Sequence, residues 1–291
     1  MIKNSEVEAM SVFDAITFDD NNTEVKKDEK ELKTSNDMLD YMALVLSREM
    51  SCRVAFKGGY LLNQLLSQSR LTHDIDLYLA KKGEYDEVKR VLKEIADAFI
   101  EKGLIFDYKI KENISETTSG GIDMYDCDGK KILGADIGLH NISYGINHYA
   151  LAITELDGFS PERMVIDKVL AILSPKRFRR TKDLYDLYAI TNVFNLDVSV
   201  LYQCIALRTN YDTTVWDHIP FSEDIILQYS KAWDKLKLTP YNDDLALEKP
   251  DFLEVLTRFN SIAFTLKKHT DGVFWDHVSK CWKNIGGCHV S

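Results

Sequence analysis

Two aspartates separated by a single residue, Asp74 and Asp76 in the run HDIDLYLA, have a spacing that could do chemistry. On a β-strand, residues i and i+2 point to the same face about 6 to 7 Å apart, so both carboxylates could converge on bound cations. An acidic chain also produces such pairs by chance, and Asp126 and Asp128 have the same spacing. Taken alone, the pair is more typical of a solvated strand face. The neighbouring sequence decides between that interpretation and a cation site.

That context begins with Gly58 and Gly59, which follow the short apolar run CRVAFK and precede the helical pattern YLLNQLLSQ. Glycines between a strand and a helix let backbone N–H groups approach an anion, and the positive end of the helix dipole adds to the attraction. A plain tight turn would use the same two residues. The order strand, glycine pair, helix and Asp-x-Asp strand favours a site for phosphate and metal.

Asp136, in the run ILGADIGL, is a candidate third carboxylate with apolar neighbours on both sides. An unpaired charge in such a strand is costly, so we expect either a metal or a basic partner there. Magnesium prefers a few carboxylates plus phosphate oxygens, and two such ions about 3.5 to 4 Å apart can hold both oxygens of a phosphoryl displacement. Asp74, Asp76 and Asp136 are therefore the predicted metal ligands, with Mg²⁺ or Mn²⁺ as the cofactor.

A second group of candidates lies in the run SPERMVIDKVLAILSPKRFRRTKDLYDLYAI. Lys168 falls on a helix that Ser160 can cap and Pro161 can start, and its ammonium group could neutralise a triphosphate. Asp183 and Asp186 are three residues apart and share one helix face. Without the glycines and the strand aspartates, we would interpret these residues as solvated charges or as charges favoured by the helix dipole.

The segment PKRFRRTK, residues 175 to 182, is strongly basic, whereas the chain has a net charge of −10. Its basic residues are Lys176, Arg177, Arg179, Arg180 and Lys182. The acidic whole argues against nucleic-acid binding through a general positive field, so any polyanion must be bound by a local patch. The segment predicts a track for an RNA backbone or for nucleotide phosphates; a solvated basic loop is the alternative.

The composition is that of an ordinary folded protein, since 45% of the 291 residues are hydrophobic, enough to build a core. The longest apolar runs are far shorter than the roughly 20 residues that cross a bilayer, and the acidic N-terminus lacks the pattern of an export signal. Five widely spaced cysteines form neither a C-x-x-C pair nor a zinc pattern. We therefore expect a cytoplasmic protein with free thiols and no membrane partner.

The pattern of helical and β-like runs changes near residues 155 to 160. Before this boundary, helical patterns alternate with β-like runs such as LIFDYKIKE, GGIDMYDCDG, KILGADIGLHN and YALAITEL, which predict the strands of one sheet. After it, the patterns are mainly helical, and we expect Trp275 and Trp282 in DGVFWDHVSKCWKNIGG to belong to the core. We predict an α/β domain over residues 1–157, with a loosely held arm over about residues 1–30, and a helical domain over 158–291.

These motifs together resemble a known family. A glycine pair followed by DIDL and a later strand carboxylate is similar to the DNA polymerase β-like nucleotidyltransferase fold. The runs FKGGYLL, SRLTHDIDLYL and DKVLAILSPKRFRRTKDLYDLYAI resemble the AbiEii-type nucleotidyltransferases, the toxin halves of bacterial abortive-infection toxin–antitoxin pairs, over roughly residues 53 to 190. The resemblance implies an α/β (α+β) fold in which a small mixed sheet is flanked by helices and followed by a mainly helical C-terminal part.

The resemblance also implies residue roles. The catalytic set would be Asp74, Asp76, Asp136, Lys168 and Asp183. The nucleotide-binding set would be Lys57, Gly58, Gly59, Arg70, Thr72, Lys168, Lys182 and Asp186. Within these sets the glycines would cradle phosphate, the strand aspartates would hold the metals, and Asp136 could also help to deprotonate the acceptor hydroxyl.

The implied activity is the transfer of a nucleoside monophosphate from a triphosphate to a hydroxyl, with RNA, and tRNA in particular, as the favoured acceptor and an antitoxin protein as a partner. Two alternatives stay open at this point. The same fold could modify a small molecule or a protein, which suits the net charge of −10. It could also serve as a non-catalytic module that binds nucleotide or a partner, although the complete set of glycines and aspartates argues against this.

Overall fold

The structure is a computed structural model. It describes residues 34–67, 69–79, 81–115, 118–139, 144–174, 180–209, 212, 214–219, 221–241 and 247–285. The predicted N-terminal arm, about residues 1–30, lies outside these ranges. So do three basic residues of the segment 175–182, namely Lys176, Arg177 and Arg179.

One mixed sheet forms the centre of the fold. Its strands are β1 Val54–Lys57, β2 Asp74–Leu79, β3 Asp107–Lys111, β4 Gly120–Tyr125, β5 Lys131–Leu139, β6 Ile146–Ala150 and β7 Glu155–Phe159. They are arranged in the order β3-β4-β5-β2-β1-β7-β6. The pairs β2/β5 and β1/β7 are parallel and the other neighbours are antiparallel. The mixed sheet confirms the predicted fold class.

Helices flank this sheet and continue into the C-terminal part. Their bounds are α1 Ser35–Glu49, α2 Gly58–Leu65, α3 Tyr85–Glu101, α4 Pro161–Leu173, α5 Thr181–Val193, α6 Val198–Thr209, α7 Glu223–Lys235 and α8 Phe252–Lys267. The predicted end signals are present: Ser160 caps α4 by accepting a hydrogen bond from the Arg163 N–H, with Pro161 in the first turn. Gly103, with φ of +68°, ends the turn that follows α3.

Apolar and acidic side chains alternate along β2, so one face of the strand belongs to the core and the other to the site. Ile75 and Leu77 are completely buried, whereas Asp74 and Asp76 on the other face are partly exposed. Helices α1 and α3 pack against each other, and between them they cover β2, β4 and β5. The apolar residues of β2 thus anchor the strand, and its aspartates are left on the side that faces the helical part.

One predicted run differs from the structure. YALAITEL was expected as a single strand, but it contains the end of β6, a turn over residues 151 to 154, and the start of β7. The last strand of the sheet then runs to Phe159, slightly beyond the predicted limit of 157. The division of the chain into two domains at that point stays a prediction.

The C-terminal part contains a small sheet that the helical interpretation of its sequence did not anticipate. Strands β8 Leu196–Asp197, β9 Val273–Asp276 and β10 Cys281–Asn284 pair in the order β10-β9-β8. Trp275 and Trp282, seven residues apart, are cross-strand partners in the antiparallel hairpin, with ring centroids 5.7 Å apart. A seven-residue spacing fits both one helix face and this hairpin register, which explains the error. Trp275 is completely buried, as expected of a core residue.

A segment of the helical part reaches back to the sheet. Residues 239–241, here called the strap, pair with the loop that leads into β2. The Leu71 N–H donates to the Thr239 carbonyl at 2.7 Å, and the Tyr241 N–H donates to the Ser69 carbonyl at 2.9 Å. The strap therefore gives this loop backbone hydrogen-bond partners just before the strand that carries the two aspartates.

Two other expectations concern exposure to lipid and the state of the thiols. Within the ranges given above, no helix combines the length and the apolar character needed to cross a bilayer. Cys52, Cys127, Cys204 and Cys281 are free thiols, as predicted, and Cys288 lies outside the described residues.

Candidate active site

One row of residues across five strands forms the floor of the site. In the parallel pairing of β2 with β5, Asp76 lies directly beside Asp136. The row continues to Lys57 on β1 and, through Gly121 on β4, to Lys111 on β3. Residues paired across neighbouring strands project from the same face of a sheet. Two carboxylates therefore occupy the centre of this row, and a lysine stands at each end.

A second row lies beside the first. Asp74 on β2 pairs with Gly134 on β5, which in turn pairs with Asp123 on β4. A Cβ atom at Gly134 would lie only 3.0 Å from Asp74 Oδ1 and 3.1 Å from Asp123 Oδ1, so the glycine gives both carboxylates their space. The Lys131 Nζ atom forms ion pairs with Asp74 at 2.7 Å and with Asp123 at 2.6 Å. A fourth carboxylate, Asp123, thus belongs to the site.

The glycine pair forms the turn from β1 into α2, as predicted. Gly58 has φ of +69°, a conformation that favours glycine, and a Cβ atom there would lie 2.0 Å from Asp76 Oδ2. At Gly59 a Cβ atom would lie 2.9 Å from Thr72 Oγ1. Lys57, at the N-cap of α2, makes no side-chain capping hydrogen bond, so its side chain leaves the first N–H groups of the helix available to an anion.

The helical part contributes a buried network of charges. Lys168 Nζ on α4 donates to Asp183 at 2.9 Å and to Asp186 at 2.6 Å, both on α5. Arg70, in the loop before β2, donates from Nε and Nη2 to the two carboxylate oxygens of Asp186, each at 2.8 Å. The network therefore joins the glycine and aspartate side of the site to α4 and α5.

The pKa shifts in this network follow from the ion pairs. Burial by itself would raise the pKa of Asp186, but Lys168 and Arg70 outweigh it and hold the pKa below its ordinary range. Burial opposes the charged form of Lys168, yet Asp186 and Asp183 raise its pKa. Asp186, Lys168 and Arg70 are thus charged at neutral pH. In the first row, burial raises the pKa of Asp76, with Lys57 and Lys168 opposing the shift.

A cleft of about 480 Å³ lies beside these groups. Of the residues predicted from sequence, the cleft is lined by Lys57, Gly58, Gly59, Arg70, Thr72, Asp74, Asp76, Asp136, Lys168, Arg180, Lys182 and Asp183. Asp186 is 3% exposed and lies behind this wall rather than in it. The cleft thus brings residues from both parts of the chain to one place.

Several charged residues of the site were missed from the sequence. Lys131 forms ion pairs with Asp74 and Asp123, and Lys111 forms ion pairs with Asp136 and Asp123. On the cleft wall, Arg208 Nε donates to Asp167 at 3.0 Å. Asp123, Lys111 and Lys131 lie on strands whose existence was predicted, but nothing in the local pattern gives the register that places them beside Asp74 and Asp136. Arg208 lies on α6, in a part of the sequence without a recognisable motif.

The donor chemistry suits a divalent cation. Carboxylates are the protein ligands that Mg²⁺ and Mn²⁺ accept, and phosphate oxygens would complete the set. Asp76 forms no ion pair with another described side chain, and the missing Cβ atom of Gly58 makes room for its carboxylate. Asp74 and Asp136 instead contact lysines, and nowhere in the described ranges do three His, Cys, Asp or Glu side chains surround a single metal position. The residues fit the cation in the type of their donor atoms, and Asp74, Asp76 and Asp136 lie on one face of the sheet.

Comparison with known proteins identifies the class and then the family. A family model described as "Nucleotidyl transferase AbiEii toxin, Type IV TA system" matches residues 44–259. The chain is therefore a nucleotidyltransferase, with a nucleoside triphosphate as its substrate. It belongs to the AbiEii toxin family, which confirms the resemblance read from its motifs and implies an antitoxin as partner.

Two solved structures are similar to this chain. JHP933 from Helicobacter pylori is 15% identical with a TM-score of 0.47, over 81% of this chain and 92% of that one. An antigenic nucleotidyltransferase-like protein from Paracoccidioides brasiliensis is 14% identical with a TM-score of 0.42, over 68% of this chain and 94% of that one. No curated protein matches the chain significantly.

Proposed function

We propose that this nucleotidyltransferase transfers a nucleoside monophosphate to a hydroxyl group of RNA, with tRNA as the favoured acceptor, and releases pyrophosphate in a reaction that depends on Mg²⁺ or Mn²⁺. The observation that carries the proposal is the cleft itself. It combines the N-terminus of α2, which begins with two glycines, with three carboxylates on one sheet face and basic side chains from α4 and α5. These are the groups needed to hold a triphosphate next to metal ions.

The triphosphate would lie between the glycine turn and the basic wall. The N–H groups at Gly58 and Gly59 can donate to phosphate oxygens, since the turn carries no side chain that would hold the ligand away. Arg180 and Lys182, at the start of α5, line the same cleft. Their charges would balance the negative charge that grows on the departing pyrophosphate.

Asp74, Asp76 and Asp136 would hold the cations. When bound, such ions polarise the phosphate that is attacked and lower the pKa of a coordinated hydroxyl. Asp136 is the carboxylate best placed to accept a proton from the acceptor, since it lies beside Asp76 and is 37% exposed. Asp76, more enclosed by the glycine turn, would serve as a ligand.

Lys168 and Asp183 would position this assembly. Lys168 reaches the cleft, but two carboxylates hold its ammonium group, so it contributes a fixed positive potential. Asp186 was expected to contact the nucleotide; its burial favours a different role, in which it fixes Arg70 and Lys168. We propose that Arg70 and Thr72 order the loop between the glycines and Asp74.

RNA is favoured as acceptor because the basic segment 175–182 ends at the cleft, in a chain whose net charge is −10. Of its basic residues, Arg180 and Lys182 line the cleft. A local basic patch on an acidic protein can bind a polyanion at one place only. The proposed setting is the cytoplasm, where RNA, nucleoside triphosphates and a partner antitoxin would all be accessible.

Labelled nucleoside triphosphates, Mg²⁺ and total RNA would test the proposal. We expect Asp74→Asn/Asp76→Asn to reduce labelling of RNA at least about a hundredfold, because the charges that hold the cations are lost. Asp126→Asn/Asp128→Asn is the matched control, since this pair has the same spacing on the turn between β4 and β5. Equal labelling by both double variants would refute the site; label confined to protein or small molecules would refute the acceptor.

A further inference from the structure

Asp74 on β2 and Asp136 on β5 are connected to each other by a chain of ion pairs. Lys131 Nζ lies 2.7 Å from Asp74 and 2.6 Å from Asp123. Lys111 Nζ lies 3.3 Å from the same Asp123 and also contacts Asp136. Two carboxylates proposed as metal ligands therefore each have an ammonium group as counter-ion, and both ammonium groups are held by one further carboxylate.

Glycines in the sheet make this chain possible. Gly121 lies between Asp136 and Lys111 in the first row and places no side chain between them. Gly134 lies between Asp74 and Asp123, where a Cβ atom would crowd both carboxylates. The two gaps let charged groups from β2, β3, β4 and β5 meet over the sheet.

Asp123 differs from its neighbours in burial. Its side chain is 19% exposed, compared with 36% for Asp74 and 37% for Asp136, and it contacts both lysines. Burial would raise the pKa of Asp123, but the lysines outweigh this effect and lower it. A carboxylate that is satisfied by two ammonium groups is suited to hold those groups rather than to receive a cation directly.

We propose that Lys111 and Lys131 are resident counter-ions of the metal site, held in place by Asp123, and that a divalent cation must displace them from Asp74 and Asp136. The inference rests on the proposed function, because it takes these aspartates as metal ligands. Like charges on one sheet face repel each other, so the lysines stabilise the cluster before the cation binds. The same positive charges compete with the cation and set its affinity. Lys111, Lys131 and Asp123 are thus positioning residues.

Binding of Mn²⁺ alone, followed by electron paramagnetic resonance without nucleotide, tests this directly. We expect Lys111→Met and Lys131→Met each to lower the Kd for Mn²⁺ about fivefold, because a competing charge is removed. Lys131→Arg keeps the charge and should stay within about twofold of the wild type. Lys93→Met is the matched control, since Lys93 pairs with Asp97 on α3 at 2.8 Å and not with a residue of this chain of ion pairs.

A double-mutant cycle tests the part played by Asp123. In an Asp123→Asn background the lysine is no longer held over Asp74, so the gain from Lys131→Met should shrink to less than about twofold. An unchanged gain would overturn the role of Asp123. The Lys111→Met variant gives an independent measurement should Lys131→Met fail to fold.

The outcomes separate this inference from the proposed function. Mn²⁺ binding that is lost in Asp74→Asn/Asp76→Asn but unaltered in both lysine variants would overturn the counter-ion inference and leave the metal site standing. Mn²⁺ binding that does not depend on these aspartates would overturn both. Tighter binding in both lysine variants, with Lys131→Arg and Lys93→Met near the wild type, would support the inference.

Discussion

The guanidinium group of Arg70 donates two parallel hydrogen bonds of 2.8 Å to the carboxylate of Asp186, and so ties the loop before β2 to helix α5. The pair is almost completely withdrawn from water, with side chains 14% and 3% exposed. Buried ion pairs of this kind add little net stability over apolar packing, but removing one partner is costly. Their value here lies in fixing how the two sides of the cleft face each other.

The first prediction concerns this pair. Arg70→Met should lower the free energy of unfolding by about 3 kcal/mol, because Asp186 loses a bidentate partner while it remains buried. Arg90→Met is the control: Arg90 pairs with Glu94 on the exposed face of α3, and its loss should cost less than about 1 kcal/mol. Urea unfolding of both variants measures the difference, and equal losses would contradict the assigned role.

The second prediction is a pH dependence. The pKa of Asp186 is lowered in the folded state, so its ionised form contributes stability above the unfolded-state pKa of about 3.9, and this contribution is lost as pH falls through the lower folded-state pKa. Asp186→Asn lacks the group that titrates. The difference in unfolding free energy between wild type and variant should therefore shrink below about pH 4. A difference that stays constant between pH 7 and pH 3 would be incompatible with this linkage.

The third prediction concerns the glycine turn. Gly58→Ala should cost at least about 1 kcal/mol of stability because φ is +69°, and should abolish triphosphate binding because the new Cβ atom would meet Asp76. Gly83→Ala is a matched substitution, since a Cβ atom there meets nothing within 4 Å. Calorimetry with a triphosphate and Mg²⁺ compares the two. Wild-type nucleotide affinity in Gly58→Ala would show that the turn does not form the phosphate site.

The fourth prediction concerns RNA. Each of Arg180→Ala and Lys182→Ala should weaken RNA binding and reduce the slope of log K against log salt by about 0.7 to 0.9, the value for one phosphate contact. Lys102→Ala, after the end of α3, should leave the slope unchanged. Fluorescence anisotropy at several salt concentrations provides the slopes. Slopes equal to wild type in all three variants would place the RNA track elsewhere.

Local patterns accounted for the parts of the site that depend on neighbouring residues. The alternation of β2 placed Asp74 and Asp76 on one face and Ile75 in the core, and the Ser160 cap located the start of α4. Each of these features depends on a few consecutive residues. They were predictable for that reason.

Register and long-range pairing were not predictable in the same way. Asp123 reaches the site only because β4 pairs with β5 at one particular offset, and no residue near Asp123 in sequence specifies that offset. The hairpin at Trp275 and Trp282 was misread because its partners are spaced like residues on a helix face. Motifs thus found the groups on β2 and α4, while the lysine counter-ions required the folded sheet.

The strap has a consequence for the order in which the chain is made. Loop residues 69–71 are synthesised early, but their backbone partners at 239–241 come about 170 residues later. A nascent chain that already carries Asp74, Asp76 and Asp136 still lacks the segment that pairs with the loop ahead of them. For a member of a toxin family, the finished site therefore needs the strap as well as the strands that carry the aspartates.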